Sequence, residues 1–333
     1  MGRMHSNADH KRTIAWAESV ASVAIPSCER PTSLRIQQSC SHLLNKYFAL
    51  AALSRSASAA ASLRDAARPH LFRIRSLIER AIERSLLTQD AECAVSHILK
   101  SSDFYGFSKK QGVSVRLPLS GCQPTQQCAG GCYAHDAMDA SPNALVRGAF
   151  NGAIATFFES ASMATRHKIL ELLERHTRKA VNAAINETKE LDVGWSRRPH
   201  IRFAHVGELP AYPEFANAVA AQVSRISGDA VDCVVYTRHR NAKKLDPSLW
   251  IVNFTLDKAS ASRRSWVPAG ARIVFSAWDG EIDPHAATNF LEHHRWSHAS
   301  PTGQGAICPT TLPQTTIRSC DAVRCSLCFR RPD

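Results

Sequence analysis

Apolar residues recur along this chain with two different periods, and the change between them divides it. Leu71, Ile74, Leu77, Ile78, Ile82 and Leu86 are spaced mostly by three and four, which predicts an amphipathic helix. The other face of that helix carries Arg73, Arg75, Arg80 and Arg84, read as a solvated charged face. From about residue 112 the period drops to two, and Val113, Val115, Leu117 and Leu119 alternate with polar or turn residues as in a short strand. After Tyr133 a long, mainly helical region is expected to about Leu191, with Ile169, Leu173, Val181 and Ile185 on one stripe. Ile201 to Val206 then reads as a strand, Phe215, Val219, Val223 and Ile226 as a helix stopped by Gly228, and Val231 to Tyr236 as a buried strand.

Two more apolar runs follow, Trp250 to Leu256 and Arg272 to Trp278, separated by connections marked with Pro or Gly. Asp283 and Pro284 supply a cap and a first-turn proline for a last helix through Phe290 and Leu291 to His293 and His294. Near-continuous apolar strands alternating with helices imply a parallel sheet covered on both faces. The expected fold class is α/β, a partial (β/α) barrel with parallel strands, closed or open. Residues 1–104 form an N-terminal extension, partly disordered and partly helical; 105–300 form the barrel-like domain; 301–333 form a Cys-rich tail. In such folds chemistry collects at the carboxyl ends of the strands. That rule selects the loop at Cys122, Gly207 and Glu208, Thr237 and Arg238, Asn253 to Asp257, and Ser276 to Asp279.

The 333 residues, 44% of them hydrophobic, are enough for a sizeable core. No run approaches the roughly 18 apolar residues of a membrane span, and the start lacks a charged-apolar-small signal pattern, so no membrane association and a cytoplasmic location are expected. A formal charge of +12 favours nucleic acid or another polyanion as partner. Lys and Arg are nevertheless spread without a long basic block, which fits a merely basic solvated surface equally well.

Eleven cysteines in such a chain point to metal or catalytic use rather than a disulfide scaffold. Cys122, Cys128 and Cys132 have five and then three residues between them, in a loop of Gly, Pro, Thr and Gln. Three soft sulfur donors on a pliable backbone suit a thiolate-bound metal or an iron–sulfur cluster. In the tail, Cys308, Cys320, Cys325 and Cys328 provide four thiols, enough for a zinc site or a four-cysteine cluster. Three plus four suggests one open and one closed site; a single site shared by both groups is the other partition. Cys28, Cys40 and Cys93 have no partner at ligand spacing, and Cys233 lies in an apolar strand, where it reads as core. His205 reads as a ligand or a structural donor. His293, His294 and His298 read as helix-end cations. Arg238 and Asp257 are substrate contacts or an ion pair across the barrel mouth.

These residues resemble the phage gene product 88 family over about 105–330. The features carried are Cys132-Tyr133-Ala134 at the end of the cysteine loop, Gly207-Glu208 after a strand, Tyr236-Thr237-Arg238 after the next, the Asn253 strand with Asp257, and the closing Cys308-Pro309 and Cys-x-x-Cys. The layout is also similar to that of radical S-adenosylmethionine enzymes, which place three cysteines after the first strand of a partial barrel to bind a [4Fe–4S] cluster. That resemblance implies cluster ligation by Cys122, Cys128 and Cys132. It also implies S-adenosylmethionine as cofactor, with Gly207 and Glu208 at its amino group and Tyr133 and Asn253 as further cofactor positions. The spacing here is five and three where those enzymes have three and two, and one glycine precedes Glu208 where they have two. A second [4Fe–4S] cluster or zinc is expected in the tail. The function implied is an iron–sulfur enzyme; the alternative from another class is a zinc-stabilised, non-enzymatic nucleic-acid-binding protein of phage or mobile-element type.

Overall fold

The structure is a computed structural model and describes residues 61–87, 90–108, 112–130, 132–135, 142–189, 198–278, 281–291 and 307–308, together with helical positions 43, 46, 47, 49 and 50. Helices α1 (Ala61–Leu86) and α2 (Ala91–Ser101) come first, then strands β1 (Tyr105–Ser108) and β2 (Gly112–Arg116). The short helix α3 (Gln126–Gly130) and the long α4 (Pro142–Ser160) and α5 (Met163–Lys189) follow. The chain then alternates through β3 (His200–Val206), α6 (Pro213–Ser227), β4 (Asp232–Thr237), β5 (Trp250–Leu256), β6 (Arg272–Ala277) and β7 (Thr288–Leu291).

The seven strands lie in one sheet in sequence order, β1 antiparallel to β2 and every later pair parallel. The architecture is therefore mixed α/β with a mostly parallel sheet that is not closed: β1 and β7 are its edges. β1 and β2 are near enough in sequence to pair as a hairpin closed at Ser108 and Gly112, whereas parallel neighbours need a crossover. Chain between β2 and β3 supplies α3, α4 and α5, and α6 crosses from β3 to β4. Gly228, at φ 58, ends α6 by donating its N–H to the Ser224 carbonyl.

Alternation along each strand sends one set of side chains towards the helices. Val113, Val115, Ile201, Phe203, Cys233, Val235 and Val252 join Leu71, Ile78, Leu145, Ile154, Leu173 and Phe215 in a single core. Cys233 is thus core, and α1 and α2 belong to the same core as the sheet. Arg75, expected on a solvated face, is instead completely buried. The expected helix at Asp283 is also corrected. The Asn289 side chain bonds the Asp283 backbone twice, accepting Asp283 N–H on Oδ1 at 2.8 Å and donating Nδ2 to the Asp283 carbonyl at 3.1 Å, which closes a turn. Thr288 to Leu291, with its β-forming Thr and Phe, then pairs with β6. After β4 and β5 the connections are 3-10 helices, Arg240–Lys244 and Lys258–Trp266, whose polar and basic sequences offer no apolar stripe for an α-helix to bury. His293, His294, His298 and Asp279 lie outside the described residues, as do Cys28, Cys40 and most of the first sixty residues.

Candidate metal centre

The cysteine loop leaves the sheet at the carboxyl end of β2. Leu117 N–H bonds the Val206 carbonyl of β3 at 2.8 Å, and a 3-10 turn, Leu119–Gly121, delivers Cys122. Thr125 then organises the next turn. Its hydroxyl accepts from Cys128 N–H at 3.1 Å and donates to Asp257 Oδ2 at 2.6 Å, which caps α3 and ties it to the end of β5. Arg263 donates to the Gln123 carbonyl at 2.6 Å, and Arg240 N–H to Gln123 Oε1 at 3.3 Å, so two further strand-end connections grip the same loop.

Gly207 allows β3 to leave directly beneath this loop. It has φ +86, and a Cβ there would lie 2.4 Å from the Leu117 carbonyl oxygen. Glu208 follows it into the interior. The Thr237 hydroxyl donates to its Oε2 and Arg238 N–H to its Oε1 at 3.3 Å, both from the end of β4. Burial raises the Glu208 carboxyl to about 7 despite those bonds. Arg238 Nη1 meets Asp257 Oδ2 at 2.9 Å, the ion-pair version of the two readings of that pair. Burial opposes ionisation of Asp257, yet the bonds from Thr125, Arg238 and Ser260 hold its carboxyl below the usual range.

The three loop cysteines, all half-buried, share this neighbourhood. Burial pushes the Cys122 thiol well above its ordinary range, and the charges of Glu208, Cys132 and Cys128 push it further. Burial disfavours the Arg238 cation too, but Cys128, Asp257 and Glu208 together keep it charged. A thiol so placed keeps its proton until a cation displaces it, so Cys122 and the soft sulfur donors near it fit a positively charged group. Among the described residues no three His, Cys, Asp or Glu side chains are already gathered as a metal cage. The fit is therefore one of donor chemistry and neighbourhood.

A second support comes from α1. Arg75 Nε pairs with Glu79 Oε1 at 2.8 Å, both side chains wholly buried. Glu79 Oε2 accepts Leu119 N–H at 2.6 Å just before Cys122, and Arg75 Nη1 donates to the Ala134 carbonyl at 2.5 Å just after Cys132. One ion pair thus holds both ends of the thiol loop. Tyr47 adds a 3.3 Å hydrogen bond to His135 Nδ1, and Phe72, Cys122 and Cys132 pack on the small apolar cluster of Leu119, Ala134 and Val206.

Of the residues selected from sequence, the structure gathers Cys122, Cys128, Cys132, Gly207, Glu208, Thr237, Arg238 and Asp257 at one edge of the sheet. Asn253 is completely buried within β5, in register with Tyr236 and Arg272. Tyr133 opens a 3-10 turn, and its side chain and that of His205 lie outside what is described. Cys308 is buried at the far edge, its N–H on the Asn289 carbonyl of β7 at 2.8 Å. Cys320, Cys325 and Cys328 lie outside the described residues. Arg75, Glu79, Thr125 and Arg263 were missed. For the first two a signal existed: each follows directly on an apolar stripe residue, Ile74 or Ile78, at a spacing of four. No family model matches the chain, and neither curated proteins nor solved structures include a match to it.

Proposed function

We propose that the protein is an iron–sulfur protein with the layout of a radical S-adenosylmethionine enzyme, its cluster held by Cys122, Cys128 and Cys132. The observation that carries this reading is that Cys122 lies within electrostatic reach of Cys128, Cys132 and the buried Glu208, where the parallel strands β2 to β5 end. The sequential parallel order from β2 to β7 is read as a partial (β/α) barrel, and the likeness to the phage gene product 88 family belongs to the same proposal. A bound cluster with S-adenosylmethionine would supply one-electron chemistry and hydrogen abstraction. The chain's own part is positioning. Thr125 and the Arg75–Glu79 pair fix the thiol loop, and Glu208, bonded by Thr237 and Arg238, offers a carboxylate to an incoming ammonium. A cation arriving there would favour the ionised form of a group that burial otherwise keeps near neutral. The tail cysteines, Cys308 with Cys320, Cys325 and Cys328, are proposed as a second site for zinc or a cluster.

Anaerobic reconstitution with iron and sulfide tests the reading. The expected result is brown protein with about four irons for the three-cysteine site and a cluster signal in electron paramagnetic resonance. Cys122→Ala, Cys128→Ala and Cys132→Ala should each abolish that signal, while Cys325→Ala should leave it and reduce solubility. Stoichiometric zinc in its place, with no affinity for S-adenosylmethionine, would replace this reading with the zinc-stabilised nucleic-acid-binding one.

A further inference from the structure

The sheet has a second face, and its chemistry differs from that of the helix-covered one. Strand alternation places Ser114 and Arg116 of β2 opposite in sense to the core residues Val113 and Val115. Ser114 is in register with Arg202 of β3. The Arg202 guanidinium lies over the Tyr236 ring at 4.6 Å, and Tyr236 meets Phe290 of β7 at 6.3 Å between centroids, so β3, β4 and β7 present these side chains to one space. Tyr236, Asn253 and Arg272 form one register row across β4, β5 and β6. Three arginines and two aromatic rings thus occupy a face that a parallel α/β sheet ordinarily fills with apolar residues.

One polar atom of this face is buried without a hydrogen-bond partner, Arg202 Nε. Folded proteins leave few such atoms buried unless something completes them. This one belongs to a guanidinium, the group best suited to a carboxylate or phosphate.

We propose that this face binds a small organic anion with a flat ring, its carboxylate or phosphate taken by Arg202 and its ring by Tyr236 and Phe290. As the substrate class of the thiol-loop centre, the inference rests on the function proposed above; as a binding site, it stands by itself. Titration calorimetry of phenyl phosphate, benzoate and neutral benzyl alcohol into the full chain decides it, once with protein as isolated and once after iron and sulfide reconstitution. Both anions should bind, and benzyl alcohol at least about tenfold more weakly. Arg202→Met should weaken the anions by about tenfold or more and leave benzyl alcohol unchanged, while Arg80→Met, at an exposed position of α1, should change nothing. If Arg202→Met does not fold, Tyr236→Leu decides instead, with weaker binding of all three ring compounds expected. Equal affinity for anion and alcohol, anion binding indifferent to these changes, or no saturable anion binding would each overturn the proposal. Anion binding that persists in protein unable to take up iron would uphold this site and remove the cluster reading alone.

Discussion

At the scale of single residues, the centre depends on positions that tolerate no substitute. Gly207→Ala would introduce a Cβ at φ +86, 2.4 Å from the Leu117 carbonyl oxygen. A loss of about 2 kcal/mol or more in urea denaturation is expected from the backbone strain and the clash. Glu83 allows a pH prediction. Burial holds its carboxyl at about 7 against an ordinary 4.5, although Ser120 donates to it. Below about 4.5 the carboxyl is protonated in both folded and unfolded chains. Between there and about 7 only the unfolded chain ionises, so folding stability falls as pH rises, by at most about 3 kcal/mol. Glu208 slopes the same way in metal-free protein. Glu83→Gln should therefore flatten part of the decline in denaturation curves taken from pH 4.5 to 7.5. The strand-end rule made Glu208 legible in the sequence. Its near-neutral setting was not, because burial depends on which distant segments cover the site, here the ends of β2 and β4.

At the scale of elements, α1 matters most. Its apolar stripe was legible from spacing, but Arg75 passed for one more solvated arginine, since a side chain beside a stripe goes inward only if something inside receives it. The thiol loop supplies that reception, with the Leu119 N–H on Glu79 and the Ala134 carbonyl on Arg75. Arg75→Met should cost about 3–5 kcal/mol, because it leaves Glu79 buried beside no cation. Replacing both members with apolar residues, often harmless for a buried pair, should not restore stability, since each orphaned loop backbone group still costs about 1–3 kcal/mol. Guanidinium unfolding of the single and double variants checks both expectations. The connections were the least legible elements. Strand sequences announce themselves by alternation, but the runs at Arg240–Lys244, Lys258–Trp266 and Asp283 have no period, and hydrogen bonds such as Asp283 to Asn289 decide their shape.

At the scale of the whole molecule, the parallel strands β2 to β6 were readable as apolar runs separated by Pro- and Gly-marked connections, whereas β7 lies where a helix was expected. The antiparallel β1 was missed; Tyr105–Ser108 is too short to show alternation. No helix among the described residues is long and apolar enough to cross a membrane. The sheet's two edges differ. β1 ends the sheet with a hairpin, whereas β7 is met by the returning chain through the parallel bridge of Asn289 with Ile307. That contact makes the start of the tail a cover for the backbone groups of β7, which would otherwise be open to pairing with a second molecule. Ending the chain after residue 306 should leave secondary structure by circular dichroism nearly unchanged, yet produce concentration-dependent association in sedimentation velocity. The segment that brings Cys308 to the sheet would in that case also govern how concentrated the protein can be before its molecules begin to pair edge to edge.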